Sequence, residues 1–211
     1  QLLQHYADAG DLFFPAKGIC ARKGFSIRLN TAQKQEKTTI LDAITSSQLE
    51  GVPGRFQTFY TQNNIMIIID YAHTPDALKN ILSSIDKIRT KNENLLTIIG
   101  CGGDRDKKKR PKIGEVAAKF SSKVIFTSDN PRNEDPELII EEMISGVSPV
   151  DYKKTSIVIK RDEAISTACK LSIPGDIVLI AGKGHESFQE IKGKKYPFND
   201  LEYARKIFTK T

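Results

Sequence analysis

The chain has 211 residues, of which 39% are hydrophobic and 27% charged. That balance excludes a disordered polymer and suits one large domain, or one domain with an extension. Lys and Arg exceed Asp and Glu by 6 (32 against 26), but they are spread along the whole chain. The densest run, "DRDKKKRPK", carries no interleaved aromatics, so no nucleic-acid partner is expected.

No apolar run reaches the roughly 20 residues of a membrane-crossing helix, and the start, "QLLQHYADAGDLFFPAKG", lacks the basic-then-apolar order of a signal peptide. Cys20, Cys101 and Cys169 are spaced too widely for a zinc site or a disulfide framework. The expectation is a cytoplasmic protein without membrane insertion and without a metal held by its own residues.

Taken in chain order, residues 1–50 are the least regular. "ADAGDLFFPAKG" reads as a turn and a strand, and Thr38–Gly51 as a candidate helix. From Ile65 the pattern becomes regular. Ile65–Asp70 is an apolar run ending in a carboxylate. Pro75–Ile88 sets Ala77, Leu78, Ile81, Leu82, Ile85 and Ile88 at helical spacing behind a starting proline. Asn94–Gly100 predicts a strand and Arg110–Phe120 a helix with a proline near its start. "KVIFTSD" predicts a strand and Pro136–Val147 a helix. Thr155–Arg161 predicts a strand, Asp162–Ser172 a helix, and Asp176–Gly184 a strand running into a glycine loop. The last helix, Asn199–Phe208, is capped by Asn199 or Asp200.

Unalternating apolar strands between amphipathic helices specify an α/β fold: a mostly parallel, doubly wound (Rossmann-like) sheet covered on both faces. Ligands of such sheets bind beyond the carboxyl ends of the strands. The polar clusters fall there: Asp70–His73, Gly100–Asp106, Ser128–Arg132 and Gly182–Glu186.

Each cluster has a plain reading beside a functional one. "GCGGDRDKKKRP" between a strand and a helix is either a basic turn or an anion cradle built from backbone N–H groups. Neither it nor "GKGHESF" has the spacing of a dinucleotide fingerprint or a P-loop. His185 is a general base or an ordinary hydrogen-bonding loop residue, and Glu186 is a surface carboxylate or an ammonium acceptor. Arg55 and Asp70 form an inter-strand ion pair, or they hold a nucleotide's phosphate and ribose. Asp129, Asn130 and Arg132, packed into one short loop, suit a ligand that carries both an amine and a carboxylate.

In order and approximate spacing, "GVPGRF", "DYAHTPDAL", "GCGGDRDKKKRP", "SDNPRNEDP" and "AGKGHE" resemble the Mur ligase family, from about Leu49 to the last residue. "DNPR" resembles the family's diaminopimelate-adding branch. The resemblance implies an acid–amino-acid ligase that uses ATP and Mg2+, with an acyl-phosphate intermediate. Its substrates would be UDP-N-acetylmuramoyl-L-Ala-D-Glu and meso-diaminopimelate, joined during peptidoglycan precursor synthesis by a cytoplasmic monomer.

By position, Arg132 would clamp the distal carboxylate of diaminopimelate. Arg105, Asp129, Asn130, Pro131, Gly182 and Glu186 would make the other amino-acid contacts, and Arg55, Asp70 and His73 would face ATP. Residues 51–211 would be the family's C-terminal amino-acid-binding domain. Residues 1–50 would be a short divergent extension, either a lead-in or a remnant of the N-terminal and central domains. "EKTTILDAI" lacks the glycines of the family's phosphate loop, and the family's Mg2+ ligands and catalytic lysine find no match, so the catalytic residues stay unassigned and the isolated chain is expected to be incomplete for catalysis. The other reading is a non-catalytic remnant or amino-acid-binding module without the ATPase P-loop.

Overall fold

The computed structural model describes residues 54–90 and 92–209; the elements expected within 1–50 lie outside the described residues. A six-stranded sheet forms the centre. Its strands are β1 (Gln57–Tyr60), β2 (Met66–Asp70), β3 (Leu95–Ile99), β4 (Lys123–Phe126), β5 (Thr155–Ile157) and β6 (Ile177–Ala181), in the order β1-β2-β6-β3-β4-β5. β1 pairs antiparallel with β2, and every other pairing is parallel. The last strand of this sheet in chain order, β6, therefore enters between β2 and β3.

The helices are α1 (Pro75–Ile88), α2 (Lys109–Phe120), α3 (Pro136–Ile144), α4 (Arg161–Leu171) and α5 (Asp200–Phe208). The alternation of side chains along each strand explains why these strands are apolar throughout. Met66 and Ile68 join Leu78, Leu82, Ile85, Ile113 and Met143 in one core, whereas Ile65, Ile67 and Ile69 join Ile165, Ala168 and Phe208 in the other. α1, α2 and α3 thus cover one face and α4 and α5 the opposite one. Each isoleucine fully buried this way contributes about 1.5–3 kcal/mol. Helix starts follow the sequence signals. Thr74, Asp135 and Asn199 accept from the Ala77, Glu137 and Glu202 N–H groups, and Pro75 and Pro136 open their helices. Asn199, not Asp200, is the cap of the last helix.

One expectation changes in detail, and one hairpin joins the expected elements. Strand β5 ends at Ile157 rather than at Arg161, because Arg161 opens α4 and turns its guanidinium into the interior. The hairpin of β7 (Phe188–Ile191) and β8 (Lys194–Pro197) follows β6 as a separate two-stranded sheet. Its two-residue loop puts Lys192 at φ +48 and Gly193 at φ +72, the pair of positive angles that a tight type I′ turn requires. Among the described residues, no helix is long and apolar enough to cross a membrane.

Candidate functional site

Four loops leave the carboxyl ends of β2, β3, β4 and β6 and enclose one cleft of about 310 Å³. Its lining includes Tyr71 and His73, Gly100–Gly102, Arg105 and Lys109, Asp129, Asn130 and Arg132, and Gly182 and Glu186. Of the residues expected to make a site, Arg105, Asp129, Asn130, Arg132, Gly182, Glu186 and His73 line this one cleft. Pro131 does not line it; Pro131 is buried and its carbonyl accepts from the Glu134 N–H at 3.0 Å. Arg55 is exposed on the turn before β1. Asp70 ends β2 and accepts from the Phe56 N–H at 2.8 Å and the Ala72 N–H at 2.7 Å. Burial pushes the Asp70 carboxyl up, against those two N–H bonds and the charge of Arg55.

The floor of the cleft is a buried polar network. Lys183 is fully buried, and its Nζ donates to Asn130 Oδ1 at 3.0 Å and to Glu186 Oε2 at 2.8 Å. Asn130 Nδ2 donates to the same Glu186 oxygen at 2.8 Å. Both of these bonds fall on Oε2, and among the described residues none is seen on Glu186 Oε1. Burial raises the Glu186 carboxyl, but the bonds from Lys183 and Asn130 and the charges of Lys183 and Arg161 outweigh it and hold the group below its ordinary value. Asp129 is the reverse case: burial pushes it up against the pull of Arg161 and Lys183. The Cys101 thiol, raised to about 12 by burial and by Asp129, is no nucleophile near neutral pH. His185 is exposed at the rim, its ring 5.3 Å from that of Tyr71.

The basic run is divided between two tasks. Arg105 and Lys109 face the cleft, and Lys109 Nζ also donates to the His73 carbonyl at 3.3 Å. Arg110 points away from solvent and is structural. It reaches Glu134 at 2.9 Å, Glu142 at 2.8 Å and the Gly102 carbonyl at 3.2 Å, so it ties the loop after β3 to the loop after β4. Glu134 is held at about 2 by its Arg110 hydrogen bonds, below the ordinary 4.5. A carboxylate with a depressed folded value adds stability that is fully present above its unfolded value and is lost as pH falls through the folded one. Thermal melts should therefore show wild-type protein losing more stability than Glu134→Gln between pH 4.5 and 2; parallel curves would contradict this.

The glycine loop is held by a close approach of backbones. A Cβ on Gly184, whose φ is +54, would sit 2.6 Å from the Gly54 carbonyl oxygen, and one on Gly54 would sit 2.1 Å from the His185 nitrogen. The turn that carries Arg55 and the loop that carries Glu186 are thus in direct contact.

Lys183, Arg161 and Asp200 escaped the sequence reading. Lys183 lies inside "GKG", where a lysine is ordinarily solvated. Arg161 Nε and Nη2 each meet one Asp200 oxygen at 2.8 Å, and Nη2 also donates to the Ala181 carbonyl at 2.9 Å. That buried pair supports the end of β6 immediately before the cleft's Gly182. The hairpin residues Gln189 and Glu190 were missed too: "FQEI" and "KKYP" are short and half-polar, and Gly193 between them is a weak turn signal.

Fold and cleft define a doubly wound α/β domain with a charged cleft at a strand-order reversal, where such folds bind ligands. The family model described as Mur ligase, glutamate ligase domain matches residues 54–184, and the chain belongs to the Mur ligase family. It is 53% identical over 154 residues to the UDP-N-acetylmuramoyl-L-alanyl-D-glutamate--2,6-diaminopimelate ligase of Cytophaga hutchinsonii, covering 73% of this chain and 32% of that protein. With the ligase of the same description from Bacteroides thetaiotaomicron it shares 45% over 195 residues, or 92% and 39% of the two chains. A solved structure of a 2,6-diaminopimelate ligase superposes with a TM-score of 0.69 at 42% identity, over 76% of this chain and 32% of that one. A murein peptide ligase from Psychrobacter arcticus, 17% identical with a TM-score of 0.50 over 65% of this chain and 28% of that one, shares the fold. The chain spans between 32% and 39% of the length of these two curated relatives.

Proposed function

We propose that this chain supplies the amino-acid-binding domain of an ATP-dependent ligase that adds meso-diaminopimelate to UDP-N-acetylmuramoyl-L-Ala-D-Glu, a cytoplasmic step of peptidoglycan precursor synthesis. The observation that carries the reading is the mixed charge of one cleft. Arg105, Lys109 and Arg132 line it together with Asp129 and Glu186. A zwitterion bearing an extra ammonium and an extra carboxylate offers each of these groups a partner. Arg132 takes the distal carboxylate through its guanidinium fork, Glu186 Oε1 takes an ammonium, and Arg105, Asp129, Asn130 and Gly182 complete the contacts.

Asp70, Arg55 and His73 form the edge toward the nucleotide. The Asp70 carboxylate is fixed by two N–H groups and keeps lone pairs on both oxygens, which fits a ribose diol, and Arg55 fits a phosphate. Phosphoryl activation of the acceptor carboxylate is the chemistry that ATP supplies in this reading. The residues of the cleft hold the attacking amine in place and keep its carboxylates paired. Among the described residues, no group of three or more His, Cys, Asp or Glu could hold a metal ion.

The test is calorimetric titration of the chain with meso-diaminopimelate and with lysine. Saturable binding that favours diaminopimelate at least about tenfold, or about 1.4 kcal/mol, is the expected result. Equal affinities would remove the reading.

A further inference from the structure

The β7–β8 hairpin does not line the cleft, yet it holds the loop after β4 that carries Arg132. Gln189 Nε2 donates to the Asp129 carbonyl at 2.6 Å, and the Glu190 N–H donates to Asn130 Oδ1 at 2.9 Å. The Arg132 N–H donates to the Glu190 carbonyl at 3.1 Å, and the Lys192 N–H donates to the Arg132 carbonyl at 2.7 Å. Arg132 is thereby bridged in parallel to Ile191 with its own φ at +51, a conformation that an arginine keeps only when its surroundings impose it. The Glu190 carboxylate adds a side-chain hold, with Oε2 3.2 Å from Arg132 Nε. On the same guanidinium, Nη1 donates to the Gly103 carbonyl at 2.8 Å.

We propose that Glu190 is a positioning residue for substrate selection: from outside the cleft it fixes the Nε side of the Arg132 guanidinium, so that the Nη fork faces the carboxylate of the bound amino acid. This rests on the reading of the cleft as a diaminopimelate site. A guanidinium has five N–H donors in one rigid plane. With Nε paired to the Glu190 carboxylate at 3.2 Å and one Nη1 hydrogen on the Gly103 carbonyl, the remaining hydrogens of Nη1 and Nη2 can together meet a carboxylate.

Glu190 also carries a charge that opposes an incoming carboxylate. Its side chain is 29% exposed and that of Arg132 is 21%, so solvent screens this repulsion. Solvent cannot replace the direction given by a carboxylate that the hairpin holds 3.2 Å from Nε. Orientation therefore decides the sign of the effect, and glutamine, which keeps an acceptor oxygen and drops the charge, separates the two contributions.

The experiment titrates wild-type, Glu190→Ala and Glu190→Gln chains with meso-diaminopimelate and with lysine, with thermal unfolding of each as a check on folding. Glu190→Ala should bind diaminopimelate about fivefold more weakly, leave lysine affinity unchanged and so lose selectivity, while Glu190→Gln should keep most of the wild-type affinity for diaminopimelate. Diaminopimelate binding by Glu190→Ala as tight as wild type overturns the assignment of Glu190 and leaves the cleft reading standing. So does an equal loss for both ligands, or a glutamine variant that falls as far as alanine. A wild-type chain that does not prefer diaminopimelate overturns the cleft reading itself, and the role of Glu190 with it.

Discussion

Asp200→Ala should destabilise the domain by about 3–5 kcal/mol, the cost of stranding one member of a buried ion pair. Asp200 and Arg161 have fully buried side chains, joined by two bonds of 2.8 Å. Burial works against the charge of Arg161, and Asp200, with the charges of Asp129 and Glu186, more than offsets it. With the carboxylate gone, the guanidinium keeps only the Ala181 carbonyl, because Nη1 already lacks a partner. Equilibrium unfolding in urea measures the loss. Replacing both residues together, Arg161→Met with Asp200→Leu, should recover most of it, since apolar side chains of similar volume need no partner. A loss under about 1 kcal/mol for Asp200→Ala would mean that water reaches the pair and that it is worth no more than a surface contact.

Arg132→Ala should reduce the preference for diaminopimelate over lysine by about 30-fold, close to 2 kcal/mol. The two amino acids differ by a carboxylate, and a site that offers a guanidinium for it rejects lysine by leaving that guanidinium unpaired. The side chain is 21% exposed, which places the effect at the low end of the roughly 2–5 kcal/mol seen for desolvated pairs. Arg132→Lys should restore only part of the preference, because an ammonium lacks the bidentate fork. Arg132→Gly removes the same charge while relieving the positive φ. It separates selectivity, which falls in both variants, from backbone strain, which only alanine retains. Unchanged ligand ratios in the alanine and glycine variants would leave "DNPR" as a turn.

Much of this arrangement could be read from local pattern. Ile65–Asp70 is apolar on both sides of the chain, which marks a strand covered on two faces. Thr74 and Pro75 announce a helix, and α1 begins and ends at the expected residues. The gathering of Asp129, Asn130, Arg132, Gly182 and Glu186 at one edge follows from the strand–helix alternation alone. What the pattern could not convey is pairing across the chain. Arg161 meets a partner 39 positions away, and Lys183 meets Asn130 at 53 positions. In a one-dimensional reading both look like solvated charges. The same holds for Arg110, which belongs to a basic run that looks exposed and yet is fully buried between Glu134 and Glu142. β1 and the β7–β8 hairpin are short, half-polar strands whose periodicity is weak, and only the Lys192–Gly193 turn gives the hairpin away.

A crystal structure of the chain with meso-diaminopimelate at saturating concentration tests the central claim most directly. The ligand should lie in the cleft between the loops after β3, β4 and β6, with one carboxylate on the Nη fork of Arg132 and an ammonium on Glu186 Oε1. Diaminopimelate bound elsewhere on the domain, or lying in the cleft with its distal carboxylate turned away from Arg132, would contradict it.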